Sequence, residues 1–336
     1  MFHIAKDTPI ALVLGITGGL GRTLAVALHG RGYAIRALTR DVAKAEAKTS
    51  LPFAIDWRQG DAFDRGAVLR AAEDANVIAH AVNPPGYAKW RELAVPMLAN
   101  TIVAAQHSGA RILFPGNIYA FGPEAGALID EASPQNPNTV KGAVRMDMEA
   151  MLRHAAGHGV RSLIVRAGDF FGPDVPSSWF SQALVKGGHE ATVIQQLGAP
   201  GIGHAWAYAP DLAETFMRLL DRQADLATHD VFHFDGHWDA DGSTMTAAVQ
   251  RALGGHVPIR RFFWPQIYLL APFVTFLREL IEMRWVWREP VRLDNRKLEA
   301  LIGPEPHTVL AAAIAASLGP APSHRQERHA HAVANA

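Results

Sequence analysis

Seven consecutive residues, Gly15-Ile16-Thr17-Gly18-Gly19-Leu20-Gly21, join an apolar run at 10–14 to an apolar-periodic stretch at 24–28, and the pattern reads as strand, glycine turn, helix. A phosphate pair needs such a turn for three reasons: a backbone bend that glycine tolerates, an approach path without a Cβ, and helix N–H groups aimed at negative charge. The spacing G-x-x-G-x-x-G therefore predicts a dinucleotide site, with Gly15, Thr17, Gly18, Gly19, Leu20 and Gly21 as its phosphate-facing candidates. The alternative is a plain tight turn after a strand, and the residues beyond the turn favour the first.

The helix closes near Gly30 to Gly32, and residues 33–38 read as a second strand, which completes a strand–helix–strand unit of the required length. An Asp or Glu at the end of that strand would bond a ribose 2′-hydroxyl and repel a 2′-phosphate. This chain has Thr39-Arg40 there. A guanidinium forks onto a phosphate with paired charge-assisted bonds, so NADP(H) is the expected cofactor, against the alternative of a solvated loop arginine. Arg22, beside the last glycine, is a second candidate for a phosphate contact.

The 336 residues suggest about two domains or lobes, and 49% apolar content is ample for a large core. Thirty-two basic residues balance thirty-two acidic ones, which leaves no excess of charge to argue for nucleic acid. With no Cys there are no disulfides, thiolate nucleophiles or cysteine metal sites. That fits a reducing compartment, and no secretory segment is visible, so a cytoplasmic location is expected. The longest apolar tract, 262–277, carries Pro265, Gln266 and Pro272 and is too short and interrupted to span a bilayer. It is expected as a buried or ligand-covering helix, with a membrane-surface role as the alternative. A small-molecule substrate is the expected partner, with a homodimer compatible with such a chain.

Further apolar strands at 53–57, 77–82, 111–114 and 162–165 each end in a polar or glycine-rich loop: Gly60-Asp61, Asn83-Pro84-Pro85, Pro115-Gly116-Asn117 and Gly168-Asp169. The fold class implied is α/β, a doubly wound parallel Rossmann sheet whose ligands collect at the carboxyl ends of its strands. After about residue 170 the alternation fades and Trp179, Trp206, Trp238, Trp264, Trp285 and Trp287 appear, which suggests a smaller C-terminal lobe covering the substrate. The division expected is 1–170 with 205–235 for the NADP-binding domain, 171–204 with 236–322 for the substrate lobe, and a disordered tail at 323–336. Within that tail His324, His329 and His331 are not expected to bind metal, nor are His154 and His158, because glycines end the helix there and no carboxylate completes a site.

Taken in order, the glycine turn, Gly60-Asp61, Val77-Ile78-Ala79-His80-Ala81, the stretches 114–122 and 166–173, Asp211-Leu212-Ala213 and the closing stretch 298–318 resemble the extended short-chain dehydrogenase/reductases. These include the NAD(P)-dependent sugar epimerases and dehydratases. The likeness covers residues 9–320. It implies that Asp61 lies by the adenine, that Arg40 lies by the 2′-phosphate, and that Ala81 belongs to the cofactor set.

The catalytic pattern departs from that family, which carries Ser or Thr after the fifth strand and Tyr-x-x-x-Lys on the next helix. The alignment puts Asn117 at the hydroxyl position, Lys141 at the tyrosine and Arg145 at the lysine. Lys141 and Arg145 are four apart and share a helix face beside an apolar stripe of Val144, Met148 and Leu152. Arg145 can hold the nicotinamide ribose, a task that needs donors rather than a titratable group. Lys141 becomes a feasible acid or base if burial beside Arg145 lowers its basicity. Asn117 can polarise a carbonyl, and Tyr119 offers a hydroxyl in the same loop, with packing as its alternative. Asp169 faces the same crevice. Against all this stands a solvated face on which Lys141, Arg145, Glu149 and Arg153 merely exchange weak pair interactions. The functional expectation is an NADP(H)-dependent oxidoreductase or epimerase/dehydratase-like enzyme acting on a small carbonyl or alcohol, with an NADP(H)-sensing binding protein as the alternative.

Overall fold

The computed structural model describes residues 8–84, 90–273 and 275–319. Pro85 and the tail at 323–336 with its three histidines lie outside the described residues. The first half alternates strictly: β1 (Ile10–Leu14), α1 (Gly19–Gly30), β2 (Ala34–Thr39), α2 (Val42–Lys48), β3 (Ile55–Gln59), α3 (Arg65–Ala71), β4 (Ala75–His80), α4 (Trp90–Ser108) and β5 (Arg111–Asn117). Then come β6 (Leu128–Ile129), α5 (Val140–Ala156), β7 (Ser162–Ala167), β8 (Asp169–Phe171), β9 (Ile194–Gln196), β10 (His204–Tyr208), α6 (Ala209–Asp221) and β11 (His229–His233). The chain closes with β12 (His237–Asp239), α7 (Thr244–Ala252), β13 (Ile259–Arg261), α8 (Trp264–Leu270), α9 (Thr275–Glu282), β14 (Arg292–Leu293), α10 (Arg296–Ile302) and α11 (Leu310–Ser317).

Seven strands form one parallel sheet in the order β11-β7-β5-β4-β1-β2-β3. β1 shows why the sheet is covered on both sides. Its alternate side chains Ala11 and Val13 join Leu24 and Leu28 of α1 and Phe216 of α6. Leu12 and Leu14 point the other way, to Val68, Leu98, Val144 and Met148 of α3, α4 and α5. A strand apolar on both faces is stable only between two helical layers. The order reverses between β1 and β4, and this switch point opens the crevice in which such sheets bind ligands.

A third core, separate from those two, gathers Phe171, Phe180, Trp206, Tyr208, Trp285 and Trp287, with Tyr119 and Phe121 reaching into it from beyond β5. Three small sheets, β12-β10-β8, β13-β9 and β14-β6, frame it.

Three expectations shift. The third strand runs Ile55–Gln59 rather than 53–57, because Phe53 leaves the strand line to stack on His29 at 4.0 Å between ring centres. The tract 262–277 is two short helices rather than one, since the proline at 272 cannot continue α8. Of its described side chains Trp264 is buried and donates its indole N–H to Leu197 O, whereas Leu269 and Phe273 are exposed. Among the described residues no helix is long and apolar enough to cross a membrane. The solvated face of α5 is overturned for three of its four residues: Lys141, Arg145 and Glu149 are buried against Glu282, Phe114 and Arg166, and Arg153 alone is exposed.

Buried ionisable groups give the fold a pH dependence. Burial, reinforced by Arg145, holds His80 at about 3, and burial reinforced by Arg166 holds His233 at about 3. Both must stay neutral, so their contribution is complete above the unfolded value of 6.5 and is lost as pH falls. Glu305 runs the other way: burial raises it from 4.5 to about 7, so its proton favours the folded state across that window. His237, held at about 4 by burial and the neighbouring His307, behaves as His80 and His233 do. Between pH 6.5 and 4.5 the unfolded chain therefore binds three protons more at these histidines and one fewer at Glu305. Stability should fall by about 2.7 kcal/mol per pH unit, and Glu305→Gln should steepen the slope by about half. Urea titrations at pH 7, 6 and 5 measure it, and equal slopes in the two proteins would contradict the assignment.

Candidate functional site

Gly15 leaves β1 at φ +92°, and a Cβ there would lie 2.7 Å from the Ala81 carbonyl oxygen. Ala81 in turn donates its N–H to Leu14 O at 3.0 Å, so the ends of β1 and β4 are tied backbone to backbone. A Cβ on Gly21 would stand 2.2 Å from Gly15 O, which explains the third glycine as close packing of α1 on the turn. Gly18 differs, because the nearest atom to its Cβ position is Gly15 O at 3.3 Å. Gly18 is also the N-cap of α1, where no side chain caps the helix. An uncapped helix start with an open glycine is a cradle for an anion. Gly19 faces elsewhere, under the Asp174 and Val175 backbone. Thr17 lines an adjoining cleft of about 460 Å³ with Arg22, Lys48, Asp174 and Ser181.

Beyond the turn, Arg40 and Asp61 meet just past the ends of β2 and β3, with Nε and Oδ2 3.9 Å apart. The Arg40 side chain is 80% exposed, so its guanidinium is open to a ligand. Arg22 is engaged within the protein, pairing with Asp174 at 3.1 Å and donating to Lys48 O at 2.7 Å.

At the far end of the crevice the structure brings Asn117, Tyr119 and Lys141 together. Asn117 ends β5, and its Oδ1 accepts the Tyr119 N–H at 3.1 Å, which directs the amide N–H groups elsewhere. Gly142 lies so close to the Tyr119 carbonyl that a Cβ would stand 2.3 Å from that oxygen, so the start of α5 is docked on the turn after β5. Thr139 caps α5 through Gly142 N–H. Glu282, at the end of α9, accepts from Lys141 twice: from its backbone N–H at 2.9 Å and from Nζ at 3.2 Å. One turn on, the Arg145 guanidinium lies 5.0 Å from the Trp90 ring centre and 5.4 Å from that of Phe114. It donates to Asn83 Oδ1 at 3.0 Å, which places it at the end of β4.

One group was not foreseen, and one is used differently from its expectation. Glu282 is 141 positions from its partner, and no local pattern announces it. Asp169 bonds Tyr119 and His204 within the protein, a use that its place in a crevice loop did not specify. The register of α5 rests on Glu149, whose carboxylate takes Arg166 Nη2 at 2.7 Å, Arg166 Nε at 3.1 Å and Gln135 Nε2 at 2.7 Å. Arg166 Nη1 donates to His233 Nε2 at 3.2 Å, and His233 Nδ1 donates to Ile129 O at 3.1 Å, the neutral tautomer that its depressed pKa requires. Removing one partner of a buried ion pair strands the other, so Arg166→Leu should cost ~3–5 kcal/mol in urea denaturation. Adding Glu149→Leu should recover part of that loss, and a single change costing under ~1 kcal/mol would show that the pair does not hold α5 in place.

Residues 11–233 match the model of the NAD dependent epimerase/dehydratase family. Among curated proteins, a 3-diazoavenalumate denitrifying reductase of a Streptomyces species is 30% identical over 177 residues, which cover 48% of this chain and 56% of that protein. The chain thus spans about half the length of the curated relatives it matches. The fold is similar to Bordetella bronchiseptica WbmH solved with NAD+, at a TM-score of 0.69 and 15% identity, covering 92% of this chain and 97% of that one. It is likewise similar to the dTDP-glucose 4,6-dehydratase DesIV of Streptomyces venezuelae solved with NAD, at a TM-score of 0.70 and 17% identity, covering 96% and 98%. With the family model spanning the glycine turn, the switch point and every strand of the central sheet, the chain belongs to the NAD dependent epimerase/dehydratase family.

Proposed function

We propose that the protein is an NADP(H)-dependent oxidoreductase acting on a small carbonyl or alcohol substrate. The observation that carries the enzymatic reading is the burial of two cations, Lys141 and Arg145, one helical turn apart where β4 and β5 end. Burying charge costs free energy, and packing alone is served better by apolar side chains. The cofactor preference is supported by the open guanidinium of Arg40 beside Asp61. Bound in the crevice, the nicotinamide supplies or accepts a hydride.

The chain's own residues do the rest. Gly18 and the start of α1 receive the pyrophosphate, Arg40 the 2′-phosphate, and Asp61 and Ala81 flank the adenosine side. Arg145, fixed by Asn83, Trp90 and Phe114, directs donors to the nicotinamide ribose. Asn117 offers an amide N–H to the reacting oxygen. Lys141, tied to Glu282, stands as the fixed positive charge beside that oxygen as negative charge develops there. Similarity to a curated reductase favours net reduction over a closed cycle of oxidation and return. A nucleotide-sensing protein without turnover is the second reading, favoured by Lys141 at the family tyrosine position. Mass spectrometry of whatever co-purifies in the crevice identifies the substrate class.

NADPH should bind at least ~10-fold more tightly than NADH, equivalent to ~1.4 kcal/mol, and Arg40→Ala should erase most of the difference. Calorimetry at fixed salt measures both, and equal affinities in the parent protein would overturn the NADP assignment. Lys141→Met should leave NADPH affinity near the parent value while lowering turnover ~10²–10⁴-fold, and Arg145→Met should weaken both. Turnover of Lys141→Met at the parent rate would remove Lys141 from the mechanism, whereas no hydride transfer in any variant or in the parent would favour the sensor.

A further inference from the structure

A buried hydrogen-bond chain leads away from the crevice. Tyr119 donates its hydroxyl to Asp169 Oδ1 at 2.6 Å. Asp169 Oδ2 lies 3.0 Å from His204 Nε2, and His204 Nδ1 lies 3.1 Å from the Val286 carbonyl oxygen. All three side chains are buried, and the imidazole is stacked flat on Trp287 with ring centres 3.7 Å apart and planes 8° apart.

The geometry requires a proton count. A neutral imidazole carries one N–H, yet His204 faces an oxygen at each nitrogen. The Val286 carbonyl can only accept, so Nδ1 is the donor there, and a second proton must lie between Nε2 and Oδ2. An indole face stabilises a cation stacked on it, as the Trp287 ring is placed to do here. Asp239, the register partner of His204 across β10 and β12, does not compete, because its oxygens accept the Thr244 and Met245 N–H groups at 3.0 and 2.9 Å. Both contacts are satisfied together only with a proton on each imidazole nitrogen and the Asp169 carboxylate as counter-charge.

We propose that Tyr119, Asp169 and His204 form the proton relay of the reaction, with Tyr119 as the catalytic acid and the other two as positioning residues that replace its proton. This rests on the oxidoreductase reading above. The Tyr119 main chain touches Gly142, next to Lys141, so the turn that carries the phenol abuts the start of α5. In the reductive direction hydride forms a new C–H bond and the carbonyl π pair moves to oxygen. The Tyr119 O–H bond breaks as the product O–H forms. The phenolate then takes a proton from Asp169, which has received it from His204 Nε2 and turned its carboxyl group. His204 is left neutral, with Nδ1–H still on Val286. Its proton returns from water through a void of about 10 Å³ lined by His204, Asp239, Gln196 and Thr246, room for on the order of one molecule.

The test uses the full chain labelled with ¹⁵N-histidine at pH 7.5 without substrate, and NADPH oxidation with 9,10-phenanthrenequinone as the carbonyl probe. One histidine should show both ring nitrogens protonated, a signal lost in His204→Gln and replaced by a neutral ring in Asp169→Asn. A neutral His204 in the parent overturns the relay. Should Asp169→Asn fail to fold, Tyr119→Phe decides: it should keep the imidazolium and bind NADPH within about 2-fold of the parent, while quinone reduction falls ~10²–10⁴-fold. Tyr119→Phe reducing the quinone at the parent rate overturns the relay and leaves the oxidoreductase reading standing. A parent that binds NADPH but never oxidises it defeats both as chemistry, while the imidazolium signal would mark a structural ion pair.

Discussion

The contact on which the rest of the structure depends is backbone against backbone, where Gly15 turns out of β1 into the Ala81 carbonyl at the end of β4. Those strands run side by side at the reversal of strand order, and the helices that come after them leave toward opposite faces of the sheet. Any side chain at position 15 would meet the Ala81 carbonyl and would also be strained by the left-handed backbone. Without that approach α1 could not start directly above the crevice. The uncapped start of α1, the open face of Gly18 and the meeting of Arg40 with Asp61 all lie on the β1 side of the switch between β4 and β1.

α5 imposes the second constraint. Three of its charged side chains are buried, and each has a partner drawn from a different part of the chain: Glu282 for Lys141, Asn83 with two aromatic faces for Arg145, and Arg166 for Glu149. Glu149 and Arg166 set the rotation of the helix against the sheet, and that rotation turns positions 141 and 145 toward the strand ends. Glu282 closes the arrangement from the aromatic lobe. One carboxylate there meets both the first turn of α5 and the ammonium of Lys141, so the lobe is latched to the sheet at the site itself.

Much of this was legible in the sequence because it is local. A glycine turn between a strand and a helix, apolar strands separated by helical stretches and a lysine four residues before an arginine are patterns within a few dozen residues. They placed the sheet, the crevice and the shared face of Lys141 and Arg145. Direction was harder. Whether positions 141, 145 and 149 face water or the core depends on what covers α5, and the covering groups come from Asn83, Arg166 and Glu282. The same holds for Asp169, whose partners lie 50 and 35 residues away. Where helical periodicity failed, in the tract at 262–277, a proline at 272 broke one expected helix into two and left Leu269 and Phe273 exposed.

On the proposed reading, Lys141 in place of the family tyrosine divides the work at the reacting oxygen differently. A tyrosine hydroxyl there both stabilises negative charge and gives a proton. Lys141 is held to a carboxylate by its own ammonium and by its backbone N–H, so it is suited to constant charge. In the proposed relay the hydroxyl comes instead from the turn after β5, where Tyr119 is bonded to an acid that is itself bonded to a ring stacked on indole. That proposal draws charge and proton from two side chains on neighbouring backbone segments, which Gly142 allows to touch. A larger residue at 142 would drive α5 off the Tyr119 carbonyl and separate the two functions in space, which gives a glycine at this position of the helix a physical reason despite its poor helix propensity.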